Sequence, residues 1–237
     1  MKCAAKELPK LQKQGIFILD DHPVIRNGLT FIIEREADLF VCGDAGRYNE
    51  ALEKIESQNP SLIIVDISLD GPNGLDFIQQ VRGLYPDVRM LVHSIHDEMF
   101  YAERVLRAGA RGYVMKQESA ERIIEAIREV LNGKIYVSVK LGERLLQKMS
   151  SDPAAISKSP IDHLSNRELE VFRFIGEGLS TRQIAQILHR SPKTIDTYRG
   201  RIKDKLDLGN SSEVIQYAIK WSQGAQTGEP QTLGKSN

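Results

Sequence analysis

Short apolar runs alternate with amphipathic helical periods through the first half of the chain, and this alternation restricts the fold more than any other feature. Ile16–Asp20, Leu39–Cys42, Leu62–Asp66, Val88–Ser94 and Gly112–Met115 read as strands. Leu62, Ile63, Ile64 and Val65 follow one another without a polar break, as in a strand buried on both faces. Between the runs, apolar residues recur at helical spacing: Ile25, Leu29, Ile32 and Ile33; Ala51, Leu52 and Ile55; Leu75, Phe77, Ile78 and Val81; Tyr101, Ala102, Val105 and Leu106; Ile123, Ile124, Ile127, Val130 and Leu131. Five strands alternating with five helices over residues 15–133 predict an α/β domain on a five-stranded, doubly wound parallel sheet. Its crossovers are expected to be right-handed.

After Gly133 the period changes. Residues 134–160 read as one helix and a linker: Ser138 is a candidate N-cap for a helix to Ser150, with Leu141, Leu145, Leu146 and Met149 as its stripe. The stretch SDPAAISKSP, rich in Ser and Pro, has no apolar period. Residues 161–222 carry no strand signal and are punctuated as helices throughout. Ser165 with Glu168 forms a candidate capping box, Gly176 and Gly178 end that helix, and Ser180 caps a short second one. Ser191 before Pro192 starts a third, running to about Leu206, and Ser211 or Ser212 opens a fourth to Trp221. Two helices joined by a tight turn predict a helix-turn-helix in an all-α domain. Residues 223–237 read as a disordered tail.

Charge separates the two halves. Lys plus Arg and Asp plus Glu both total 32, so the net charge is zero. Yet residues 15–133 hold 20 Asp/Glu against 12 Lys/Arg, while residues 160–221 hold 10 Lys/Arg against 8 Asp/Glu. The acidic half cannot want a polyanion, whereas clustered charge in the other half can serve one. No run approaches the ~18 apolar residues of a membrane span. The first fifteen residues lack the apolar stretch of a signal peptide. Cys3 and Cys42 make no disulfide framework. A soluble, cytoplasmic protein is expected.

In an open parallel sheet, chemistry collects at the carboxyl ends of the strands. Asp20 and Asp21 end the first strand, Asp66 the third, Ser94 the fourth, and Lys116 follows the fifth. Three carboxylates on one edge repel one another unless a cation sits among them, and Mg²⁺ suits oxygen ligands. Each residue alone has a plain structural reading, as a cap or a turn. Their coincidence on four strands suits a carboxylate that accepts a phosphoryl group, with metal and lysine neutralising the developing charge.

This constellation resembles the receiver domain of two-component response regulators. The resemblance implies that Asp66 is the phosphoacceptor and that Asp20, Asp21, Asp66 and the Ser68 carbonyl hold Mg²⁺. It implies that Ser94 is the switch hydroxyl, Lys116 the ion partner of the phosphoryl group, and Tyr113 the aromatic switch. Tyr113 also fits a half-buried strand tyrosine. Ile95 departs from the small residue usual after the switch hydroxyl, which suggests slow dephosphorylation. His96 stands where the family tunes hydrolysis, but reads more simply as a solvated loop residue. The turn residues Asp70–Gly74 suit a loop beside the acceptor.

On a helical wheel Ile195, Tyr198, Ile202 and Leu206 form the apolar stripe of the third carboxyl-terminal helix. Lys193, Thr197, Gly200 and Asp204 lie opposite, flanked by Asp196 and Arg201. Basic flanks with small residues on the outer face suit the DNA major groove. The run LSNRELEVFRFIGEGLSTRQIAQILHRSPKTIDTYRGRIKDKL resembles the LuxR-type helix-turn-helix. Together the two resemblances identify the chain with the NarL/FixJ class. They imply base-facing positions at Asp196, Thr197 and Gly200, and further DNA contacts from Arg182, Gln183, Lys193, Thr194, Arg199, Arg201 and Lys203. Asp196 stands where the family often has a basic residue, and suits a cytosine amino group.

The expected function is a DNA-binding regulator, not an enzyme, controlled by a sensor histidine kinase and acting as a homodimer when phosphorylated. Val214, Ile215, Ala218 and Ile219 are a candidate dimer face or simply core. One rival is a Mg²⁺-dependent phosphatase, but such enzymes place a second acid where Ser68 stands. Another is a receiver-like dimerisation module on a constitutive DNA binder.

Overall fold

The computed structural model describes residues 13–69, 74–151 and 160–227. Among these, residues within 13–95 and 105–136 form one compact unit, and those within 96–104 and 137–227 form another. Along residues 14–131, β1 (Gln14–Leu19), α1 (Pro23–Glu34), β2 (Leu39–Ala45), α2 (Tyr48–Gln58), β3 (Leu62–Val65), α3 (Gly74–Leu84), β4 (Arg89–Ser94), α4 (Glu98–Ala108), β5 (Gly112–Met115) and α5 (Ala120–Leu131) alternate, all in the first unit except residues 98–104 of α4. The five strands are parallel in the order β2-β1-β3-β4-β5, the doubly wound sheet expected.

Burial on both faces explains the unbroken apolar runs. Ile16, Ile18, Leu62, Ile64, Leu91 and Val114 pack with Leu29 and Ile33 of α1 and with Ile123, Ile124, Ile127 and Val130 of α5. Their neighbours Phe17, Leu19, Ile63 and Val65, which the pleat turns the other way, are equally buried. β2 runs three residues past its expected end at Cys42. The register slips between Ile16 and Phe17, leaving Cys42 as the extra residue of a bulge. That bulge and the polar edge beyond it break the alternation by which a strand is recognised.

Beyond the sheet, α6 (Val139–Ser151) starts as expected, with Ser138 Oγ accepting from the Leu141 N–H at 3.2 Å. The linker residues 152–159 and the loop residues 70–73 lie outside the described residues. A short 3₁₀ turn, Pro160–His163, precedes α7 (Asn166–Gly176), α8 (Thr181–Ile187), α9 (Pro192–Lys205) and α10 (Ser211–Thr227). The Ser165–Glu168 capping box forms, and Ser180 and Ser191 cap α8 and α9. α10 opens at Ser211 as expected but departs from expectation at its far end. Its cap is Asn210, whose Oδ1 accepts from the Glu213 N–H at 3.0 Å. The helix passes Trp221 to Thr227, so residues 223–227 are not tail; residues 228–237 lie outside the described residues. No helix among the described residues is long and apolar enough to cross a membrane.

Candidate functional site

Parallel strands present the same end to the same edge, which is why residues far apart in sequence meet here. The Asp66 N–H continues the ladder to the Leu19 carbonyl (2.8 Å), and the Lys116 N–H continues it to Ser94 (2.8 Å). Asp20 and Asp66 are 2% and 1% exposed. Lys116 Nζ lies 2.7 Å from Asp20 Oδ2 and 2.8 Å from Asp66 Oδ2. Burial alone lowers the Lys116 pKa, but the two carboxylates overcome it and raise the value above that of an ordinary lysine. The lysine is therefore an ammonium bridging two acids. The other Asp66 oxygen, Oδ1, accepts from the Ser68 N–H at 2.8 Å.

Asp20, Asp21, His22 and Asp66 each place a possible ligand atom within 4.8 Å of the others. That span is close to the roughly 4 Å between opposite ligands of octahedral Mg²⁺, and the three carboxylates supply the oxygens it prefers. The donor set fits such an ion. Sequence reasoning left out His22, whose imidazole Nδ1 lies 2.6 Å from Asp21 Oδ1 and whose N–H donates to Asp20 Oδ1 at 2.9 Å. The signal was its place between the Asp pair and Pro23, at the N-cap of α1.

Ser94 is fully buried at the end of β4. Tyr113 is buried to 1% exposure rather than half-buried, because its strand is covered on both faces. Ile95 is 57% exposed. His96 is not solvated: it is 6% exposed, and its ring stacks on Tyr101 with centroids 4.5 Å apart. Asp70–Asn73 are outside the described residues, but Gly74 packs closely on the chain that follows β3. A Cβ there would lie 2.6 Å from Ile67 Cα and 3.0 Å from the Asp66 carbonyl oxygen.

In the second unit α8 and α9 are joined through His189, which takes φ +50° in place of the usual glycine. Ile195 and Ile202 are fully buried and Leu206 nearly so, while Tyr198 is half-buried. The stripe thus turns the opposite face of α9 outward. Arg182, Gln183, Lys193, Asp196, Thr197 and Arg201 are exposed; Thr194, Arg199, Gly200 and Lys203 are half-exposed. A Cβ added at Gly200 would meet nothing within 4 Å.

Several of these side chains also serve the fold. Gln183 Oε1 accepts from the Ser180 N–H at 2.9 Å, and the Thr194 hydroxyl bonds Ser191 Oγ at 2.8 Å. The Thr197 hydroxyl donates back to the Lys193 carbonyl at 3.0 Å. Lys205 is drawn off to Glu168 at 2.7 Å. On α10, Val214 and Ala218 are core, whereas Ile215 and Ile219 stay 38% and 37% exposed.

A parallel sheet with an acidic carboxyl edge, followed by a helix-turn-helix, defines a class of protein, and comparison with known families agrees. Residues 16–128 match the response regulator receiver domain, and residues 162–218 match the bacterial regulatory proteins of the luxR family. An oxygen regulatory protein NreC from Staphylococcus epidermidis is 33% identical over 210 residues, covering 86% of this chain and 96% of the relative. A LuxR-family two-component response regulator from an Aurantimonas species, known from its crystal structure, is 27% identical. It superposes with a TM-score of 0.54, covering 59% of this chain and 99% of that one. RcsB from Salmonella enterica serovar Typhimurium, solved on a promoter with the phosphomimetic BeF₃⁻, shares the fold at 24% identity. Its TM-score is 0.55, over 88% of this chain and 99% of that one. The chain belongs to the NarL/FixJ response regulators, in which a receiver is joined to a LuxR-type DNA-binding domain.

Proposed function

We propose that a sensor histidine kinase phosphorylates this regulator on Asp66 and that the acyl phosphate controls its dimerisation and its action on transcription. The observation that carries this is Asp66 itself: a carboxylate 1% exposed at a strand end, held by Lys116 at 2.8 Å beside two more aspartates. A carboxylate oxygen attacks the phosphorus of a phosphohistidine, the P–N bond breaks, and the imidazole leaves with the bonding pair. Asp20, Asp21, Asp66 and the Ser68 carbonyl would hold Mg²⁺, which when bound neutralises charge on the phosphoryl oxygens. Lys116 supplies a second positive charge that costs no reorganisation, since it is already in place. The Ser94 hydroxyl donates to the new oxyanion, and Tyr113 is the aromatic partner of that switch.

In this reading residues 15–133 are the receiver, 134–160 a helix and linker, and 161–222 the DNA-binding domain, in the cytoplasm. α9 is the recognition helix. Asp196, Thr197 and Gly200 face the bases, while Arg182, Gln183, Lys193, Thr194, Arg199, Arg201 and Lys203 contact the flanking DNA. A dimer through Ile215 and Ile219 reads two half-sites related by its symmetry. Intact mass after incubation with Mg²⁺ and phosphoramidate tests the chemistry: one phosphoryl adduct on wild type and none on Asp66→Asn. A beryllofluoride-binding control guards against Ile95 excluding the small donor. Failure of both sinks the proposal, and steady turnover of a phosphate ester would favour a phosphatase.

A further inference from the structure

We infer that Arg26 and Asp44 are positioning residues for the acidic cluster, acting through the main chain of Asp20. This rests on the reading of Asp20, Asp21 and Asp66 as a divalent-cation site. Arg26 lies in the first turn of α1, its side chain 20% exposed. Its Nη1 donates to the Asp20 carbonyl oxygen at 2.8 Å, and its Nε donates to Asp44 Oδ2 at 2.6 Å. The Asp20 N–H meanwhile donates to the Ala45 carbonyl at 3.2 Å. Both polar groups of the Asp20 main chain are therefore held, one by β2 directly and one by the guanidinium that β2 anchors.

The anchor is itself secured. The Asp44 carbonyl accepts from Lys54 Nζ at 2.9 Å, and Lys54 pairs with Glu50 at 2.7 Å. Space for the guanidinium comes from Gly46, where an added Cβ would lie 3.3 Å from Arg26 Nη1. The carbonyl that Arg26 grips belongs to the peptide joining Asp20 to Asp21. Rotation of that peptide changes the angle between the two carboxylates, and Mg²⁺ demands near-ideal octahedral geometry. Groups that hold ligands in place contribute to metal affinity without touching the metal.

Charge alone predicts something different. A nearby guanidinium repels a dication, so its removal would tighten binding, whereas loss of positioning weakens it. The test is isothermal titration of full-length protein with MgCl₂, without any phosphodonor. Wild type is compared with Arg26→Ala and with Gly46→Val, which keeps every charge and crowds the guanidinium off the carbonyl. Both variants are expected to bind Mg²⁺ about tenfold more weakly, with thermal unfolding in EDTA showing that they are folded.

Equal or tighter binding by folded Arg26→Ala overturns the inference. If Arg26→Ala does not fold, Gly46→Val decides alone, and unchanged affinity there overturns it. Absence of Mg²⁺ binding by wild type would instead remove the cation-site reading on which the inference stands.

Discussion

At the carboxyl edge of the sheet, the side chains of Asp20, Asp66 and Lys116 are nearly inaccessible, and the Lys116 ammonium lies 2.7 Å from Asp20 and 2.8 Å from Asp66. On α9, by contrast, Lys193, Asp196, Thr197 and Arg201 stand in solvent on a helix held by a cap and two buried isoleucines. The first site keeps its charges where desolvation makes each of them expensive unless paired. The second keeps them where water screens them and their removal costs the fold little. A site suited to chemistry on a carboxylate is thus tied into the stability of its domain, whereas a site suited to read another surface is almost free of it.

The largest effect should follow from Lys116→Met, which strands two buried carboxylates. In EDTA it is expected to destabilise the receiver by about 3 kcal/mol. Saturating Mg²⁺ should restore part of that, because the ion replaces the lost cation. Urea unfolding with and without Mg²⁺ measures both, and an equally stable variant in EDTA would break the contrast drawn above.

His93, on β4 beside Ser94, comes next. Burial pushes its pKa down to about 4, Lys116 adding in the same direction, and neither ring nitrogen has a hydrogen-bond partner among the described residues. The unfolded chain binds a proton near pH 6.5 that the folded chain refuses until about pH 4. Stability should therefore be full above pH 6.5 and fall as pH drops toward 4, by up to about 3 kcal/mol. His93→Phe should flatten that part of the profile; an unchanged slope would show that another group is responsible.

Effects on the helix-turn-helix should be smaller for the fold. Ser191→Ala removes the cap of α9 and should cost about 1 kcal/mol. It should also weaken duplex binding by fraying the turn that carries Lys193 and Thr194, as band shifts on a cognate duplex can measure. Arg201→Ala should be smallest for stability, within about 0.5 kcal/mol. Its effect should appear in binding, where each lost phosphate contact lowers the salt slope by about 1. A large loss of stability from Arg201→Ala would erase the difference between the two sites.

Helix starts were legible because caps are local: Ser165 with Glu168, Ser180, and Ser191 with Pro192 each act within four residues. The acidic edge was legible for another reason. Once five parallel strands are recognised, the polar residue ending each must share an edge. The opening of α10 at Ser211 was legible though its capping side chain, Asn210, was not singled out, and β2 was cut short because a bulge interrupts its period. His96, which does lie in a loop, was read as solvated because nothing local shows what covers it.

The amino-acid sequence by itself determined the order of strands and helices, the acidic edge of the sheet and the outward face of α9, since each follows from local periodicity or from the polarity of parallel strands. Tertiary structure alone decided the pairings between residues of ordinary surface type. Arg26 meets Asp44 across 18 positions, Glu168 meets Lys205 across 37, and Arg128 on α5 grips Asp38 across 90. Such partners carry no periodic signal, because a charged side chain looks the same in sequence whether it faces water or its counter-ion. Only the packing of the sheet and helices brings them within reach.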